Sequence, residues 1–239
     1  MTDTLTASPT APEAEESPVP AVVAPRAHYS LSRSLVTVSA PLEAPAEAIR
    51  AMRTHIMARH ASQGRRALAI CAPSSGVGCT FVATNLAVAL AQIGVKTLLI
   101  DANLRRPAVE GLIRPPTKRP GLAQCLADPD SNFLEHIDAD VMPDLSVMFA
   151  GGAEANAQEL LASDRFRALI GYCLREYDAT IVDTPAANMC SDARRISTVV
   201  GYSLIVAGRN STLVGDVKIL SRELEADHAR VVGTVLNQA

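Results

Sequence analysis

The chain has 239 residues, 48% apolar, 20% charged and 3% aromatic, with 22 Lys+Arg against 25 Asp+Glu and a formal net charge of −3. That length and apolar content suit one domain of about 200 residues with an ordinary core, and the near-neutral balance argues against a dedicated nucleic-acid binder. No secretory signal or run of about 18 apolar residues occurs. The cysteines, Cys71, Cys79, Cys125, Cys173 and Cys190, form no C-x-x-C pair, so the expectation is a soluble, cytosolic protein with reduced thiols, no disulfide framework and no zinc site.

Residues 1–40, rich in Ala, Pro, Glu, Ser and Thr, hold too little apolar bulk to offset ordering entropy and are expected to be a disordered tail. The domain is expected over 41–239. A helix is predicted over 44–61, where Ile49, Met52, Ile56 and Met57 fall at helical spacing. Beyond it, short aliphatic runs alternate with longer amphipathic stretches, the pattern of an α/β fold with a mainly parallel sheet and helices on both faces. Strands are predicted at 67–72, 96–102, 144–152, 179–184, 203–208 and 231–237, and helices at 80–94, 157–177 and 216–227. Pro115 and Pro116 forbid a continuous helix in the loop after the second of these strands.

The junction APSSGVGCTFVATNL joins the first strand to its helix through Ser75, Gly76, Val77, Gly78, Cys79, Thr80 and Phe81. Such a turn points backbone N–H groups and a helix N-terminus at one spot, which suits phosphate oxygens. A P-loop would read G-K-[ST] here, its lysine neutralising the phosphates and its hydroxyl holding Mg²⁺. This one reads Gly78-Cys79-Thr80 and lacks the lysine. Asp101 and Asp183 close the second and third central strands, at the carboxyl ends where open α/β sheets bind ligands. With Thr80 they are candidate Mg²⁺ ligands, directly or through water.

The strand-loop at 71–80, LLIDANLRRP, NAQELLAS, EYDATIVDTPAA, the SDA at 191–193 and GTVLN at 233–237 fall in the order seen in bacterial tyrosine kinases. Over about 41–239 the chain resembles their cytoplasmic module, a branch of the deviant P-loop ATPases that also include partitioning ATPases. The resemblance implies ATP or ADP with Mg²⁺ as cofactor, an adenine contact at Asn237, and a ring-forming helix motif at Glu47, Arg50 and Arg53. Read as residues alone, those three are a solvated helix face with an i,i+3 ion pair. The partner the resemblance implies is a membrane polysaccharide co-polymerase of capsule or exopolysaccharide export, holdfast being one such setting, with the chain held at the inner membrane through that partner and assembling with copies of itself.

Two departures from the family pattern bear on activity. The second aspartate of the second-strand motif is here Asn103, leaving Asp101 as general base if chemistry survives. The tyrosine-rich tail of the family has no counterpart in the scattered Tyr29, Tyr172, Tyr177 and Tyr202. The lysines are Lys96, at the wrong end of the sheet, Lys218, on a late helix, and Lys118, in the loop; Lys118, Arg105 or Arg106 are the candidates to reach phosphate. Losing one preorganised charge typically costs about 10²–10³ in rate. The expectation is therefore a kinase-like protein of weak or no activity that regulates polysaccharide export by binding. Its alternatives are an active tyrosine autokinase or ATPase and a partitioning ATPase, the last needing a loop with lysines where Ser74 and Cys79 stand. A thiol at a helix N-terminus tends towards a low pKa, so Cys79 is read either as a redox or alkylation target or as a small residue tolerated in the lysine's place. His55 and His60 are expected on a solvated helix surface, and Arg194-Arg195 in a solvated loop or an interface.

Overall fold

In the computed structural model, which describes residues 28–238, the chain begins with strand β1 (Ser30–Leu31), a helical turn α1 (Val36–Ser39) and helix α2 (Ala44–Arg59). Strand β2 (Ala67–Cys71) leads into α3 (Cys79–Ala91), β3 (Thr97–Asp101), the short β4 (Ile113–Arg114) and α4 (Leu122–Ala127). A hairpin of β5 (Asp138–Met142) and β6 (Leu145–Met148) precedes α5 (Ala157–Ala162) and α6 (Asp164–Glu176). The chain closes with β7 (Ala179–Asp183), α7 (Asp192–Val200), β8 (Tyr202–Gly208), α8 (Val214–Ala226) and β9 (Arg230–Asn237).

One seven-stranded sheet runs in the order β5-β6-β3-β7-β2-β8-β9. Every neighbouring pair is parallel except β5 with β6. The three central strands are buried at every residue, which is why they read as unbroken aliphatic runs. Ala67, Ala69, Cys71, Leu98 and Ile100 pack towards Leu161, Phe166, Ile196 and Leu224 of α5 to α8. Leu68, Ile70 and Leu99 pack on the other face with Ile56 of α2 and Val82, Leu86 and Leu90 of α3, following the two-residue period of a strand. Helix α3 is buried from Val82 to Ala91, because it lies between the sheet and α2 and has no face left for water.

Three expectations are corrected here. Residues 28–40 are folded, while the rest of the expected tail, 1–27, lies outside the described residues. Leu35 is fully buried, and the Asn85 side chain accepts from the Val36 N–H at 2.9 Å and donates to the Ser34 carbonyl at 3.0 Å. The anchor comes from a distant helix, so local composition does not reveal it. The helix expected over 157–177 is two helices: Ser163 is extended and its hydroxyl accepts from the Phe166 N–H at 3.3 Å, starting α6 afresh. Arg194 and Arg195 sit on α7 rather than in a loop; Arg194 pairs with Asp227 at 2.6 Å, and Arg195 donates to the Ala162 carbonyl at 3.0 Å.

Candidate functional site: a phosphate loop without its cation

Strand β2 ends at Cys71 and the chain turns through residues 72–78 into α3. Gly78 has φ +89°, and a Cβ there would lie 2.1 Å from Asn237 Nδ2, so both the turn and its backing demand glycine. Among the described residues no carbonyl accepts from the backbone N–H groups of Ser75 to Thr80. These open donors and the N-terminus of α3 face a cavity of about 300 Å³ lined in part by Ser74, Ser75, Thr80, Asn103 and Thr184. Unspent amides at a helix start form a cradle for phosphate oxygens.

The Thr80 hydroxyl donates to Asp183 Oδ2 at 2.6 Å, and Asp183 Oδ1 has no partner among the described residues. Asp183 is fully buried. Burial first, and then the neighbouring Asp101 charge, push its carboxyl well above the usual range. A divalent cation would relieve both effects. The orphaned oxygen and adjacent hydroxyl thus fit Mg²⁺, which takes one or two carboxylates and completes its shell with phosphate and water. Thr80 and Asp183 would hold it, and it would neutralise charge on the phosphates.

Neither aspartate is among the cavity's lining residues: Asp183 lies behind it, bound to the lining Thr80 hydroxyl, and Asp101 is engaged elsewhere. Its carboxylate accepts from the Asn103 N–H at 3.1 Å and from the Ala108 and Val109 N–H groups at 3.0 Å each, pinning the loop after β3. Burial raises its pKa and those amides oppose the rise. The residue of that motif that lines the cavity is Asn103, whose side-chain oxygen accepts from the Arg106 N–H at 3.1 Å. Where the family pattern has a carboxylate, the cavity therefore meets a neutral amide.

The Cys79 thiol turns inward and donates to the Ile70 carbonyl at 3.0 Å. Burial and then the Asp183 charge push its pKa well up. This corrects the expectation of a lowered pKa: desolvation and a neighbouring carboxylate outweigh the helix dipole. None of the candidate replacement cations lines the cavity. Arg105 is paired with the buried Asp192 at 2.6 Å, and Lys118 lines a separate cleft with Glu110 and Arg114. Lys96 lies over the Tyr177 ring at 5.2 Å. Asn237 backs the loop, donating its side-chain amide to the Val77 carbonyl at 3.0 Å, and is not among the cavity's lining residues. Val77, Cys79 and Phe81 line the cavity with the glycines.

On α2, Arg50 pairs with Glu47 at 3.1 Å, and Arg53 donates to the Ala89 carbonyl near the end of α3 at 3.1 Å. Within one chain Arg53 thus holds α2 to α3. His55 is exposed as expected, but His60 is only 4% exposed, which corrects its placement on the solvated surface. Two features of the site escaped sequence reasoning: the Arg105–Asp192 pair and the Thr184 hydroxyl, which donates to the Ile70 carbonyl at 2.9 Å. The triplet Asp183-Thr184-Pro185 directly after a buried strand was the available signal for the second; the first spans 87 residues and had none.

Residues 68–238 match the CobQ/CobB/MinD/ParA nucleotide binding domain. The tyrosine-protein kinase ptk of Acinetobacter johnsonii is 33% identical over 193 residues, which cover 80% of this chain and 26% of that protein. The putative tyrosine-protein kinase CapB of Staphylococcus aureus is 29% identical over 198 residues, covering 83% of this chain and 86% of that protein. The chain thus spans about a quarter of the first relative's length and most of the second's. The kinase domain of the Escherichia coli tyrosine kinase ETK superposes with a TM-score of 0.79 at 31% identity, over 86% of this chain and 80% of that one. Among the described residues no helix is long and apolar enough to cross a membrane.

Proposed function

We propose, since the chain belongs to the CobQ/CobB/MinD/ParA nucleotide-binding family and is related to bacterial tyrosine kinases, that it is a kinase-like P-loop protein whose catalytic power has lapsed and which acts by binding. Its partner in this reading is a membrane polysaccharide co-polymerase at the inner membrane, on whose cytosolic side it regulates polymer length or export. Assembly with copies of itself through Glu47, Arg50 and Arg53 belongs to the same reading. The observation that carries it is the Cys79 thiol, placed where the P-loop lysine would stand and committed to the Ile70 carbonyl. Asn103 in the cavity supports it further. Nucleotide binding is weakened rather than designed out, because the open amides, Thr80 and Asp183 remain.

The competing reading, an active tyrosine autokinase or ATPase, needs a cation from elsewhere. Arg106 and Lys118 are the loop candidates that are exposed and in no ion pair among the described residues. Calorimetric titration of Mg²⁺–ATP into the full chain, with Cys79→Lys beside it, separates the two. A charge-assisted contact strengthens binding by roughly 10–100-fold, so Cys79→Lys should bind at least about tenfold tighter than the unmodified protein. Equal affinity in the two, or phosphate transfer by the unmodified protein that disappears in Thr80→Val, overturns the proposal.

A further inference from the structure

At the end of the sheet opposite the phosphate loop, where β2 and β9 begin, a cleft of about 360 Å³ opens beside the last turn of α2. His55, Arg59, His60, Gln63, Arg65 and Arg230 line its polar part, and among the described residues no carboxylate lines it. Among the described residues Arg59, Arg65 and Arg230 enter no ion pair, whereas Arg105, Arg119 and Arg194 each have a carboxylate partner. The negative end of the α2 dipole accounts for a cation at Arg59. It does not account for Arg65 or Arg230, which come from other elements. Tyr202 fixes part of the arrangement: the Arg65 guanidinium lies over its ring at 4.8 Å, and the His60 ring meets it edge-on at 4.9 Å.

We propose that this cleft is a second anion site, which takes a compact phosphate-bearing ligand on Arg59, Arg65 and Arg230. Guanidinium forks match phosphate oxygens in pairs, and cations held on separate elements suit a multiply charged group better than a single carboxylate. The ligand is either a soluble phosphorylated molecule or a lipid headgroup, and neither requires the phosphate loop to bind nucleotide. His60 makes the site observable. Its Nε2 lies 3.1 Å from the Ala67 carbonyl, an acceptor, so Nε2 carries the hydrogen and Nδ1 is bare in the neutral ring. Nδ1 has no partner among the described residues, and burial, aided by Arg65 and opposed by the Ala67 hydrogen bond, lowers the ring's pKa. An anion in the cleft supplies the counter-charge that favours the protonated ring.

The test is a pyrophosphate titration of the full chain, at constant ionic strength and about pH 6.5, where histidine ordinarily titrates, followed through the imidazole NMR signals of His60. The signals should move saturably towards the protonated form. Arg59→Gln/Arg230→Gln, both exposed in the wild type, should weaken that response at least tenfold, while Arg222→Gln on α8 leaves it intact. Signals that stay still, drift without saturating, or respond equally in the double variant overturn the site. Vesicles containing phosphatidic acid then distinguish the sources. Co-sedimentation lost in the double variant identifies a headgroup, and pyrophosphate binding without co-sedimentation identifies a soluble ligand.

Discussion

The two ends of the parallel sheet are built from opposite materials. At the carboxyl end, backbone amides stand open around a cavity, yet among the described residues its charged side chains are the buried carboxylates behind it and no cation lines it. At the amino end, Arg59, Arg65 and Arg230 line a cleft that has no carboxylate among the described residues. Backbone geometry and side-chain charge are thus separable. The strand-turn-helix turn survives because packing requires it, whereas the lysine that makes it a strong phosphate binder is a single replaceable residue. The fold does not by itself decide the activity.

The sharpest way to break that comparison is Asp101→Ala. If Asp101 is a loop anchor, its removal strands the buried Val109 amide and the part-buried amides of Asn103 and Ala108 and should cost about 2–3 kcal/mol in urea unfolding. A loss under about 1 kcal/mol would return Asp101 to the pool of free catalytic groups. Gly78→Ala forces a side chain onto Asn237 and a left-handed backbone, and a loss of about 1–3 kcal/mol is expected from thermal unfolding; an unchanged midpoint would mean that the loop is not held from behind.

At the amino end the expected effect is a slope in pH. Burial lowers the His60 pKa in the folded state, so the unfolded chain takes up the proton first as pH falls. Stability is therefore complete above about pH 6.5 and declines below it as the unfolded chain protonates. His60→Gln should flatten that decline. Cys79, its thiol pushed well up, should alkylate no faster than Cys190 at neutral pH, and faster labelling would restore a reactive thiolate. Arg194→Ala should cost least: its partner Asp227 has a lowered pKa through the Arg194 hydrogen bond, but both are about a third exposed. Solvent screening limits the loss to about 1 kcal/mol or less, and less again in high salt.

Strands β2, β3 and β7, the loop between β2 and α3, and the positions of Asp101 and Asp183 at strand ends were all legible along the chain. Each depends on local period, on glycine punctuation or on the rule that places ligands at strand carboxyl ends. Less legible were α7, whose arginines disguised an amphipathic helix, and β5, a half-exposed antiparallel edge strand. The fold of residues 28–40 depends on Asn85, far away in α3.

The sequence by itself determined the α/β class, the phosphate-loop turn and the absence of its lysine, because these are matters of residue type and nearest-neighbour spacing. Tertiary structure alone decided where each charged or reactive atom is spent: Asp101 on the amides of its own loop, Arg105 on Asp192, the Cys79 thiol on Ile70. It also decided that Arg59, Arg65 and Arg230 share one cleft. A side chain's partner is chosen by burial and by whichever element folds against it. That choice is made across tens to hundreds of residues, beyond the reach of any local pattern.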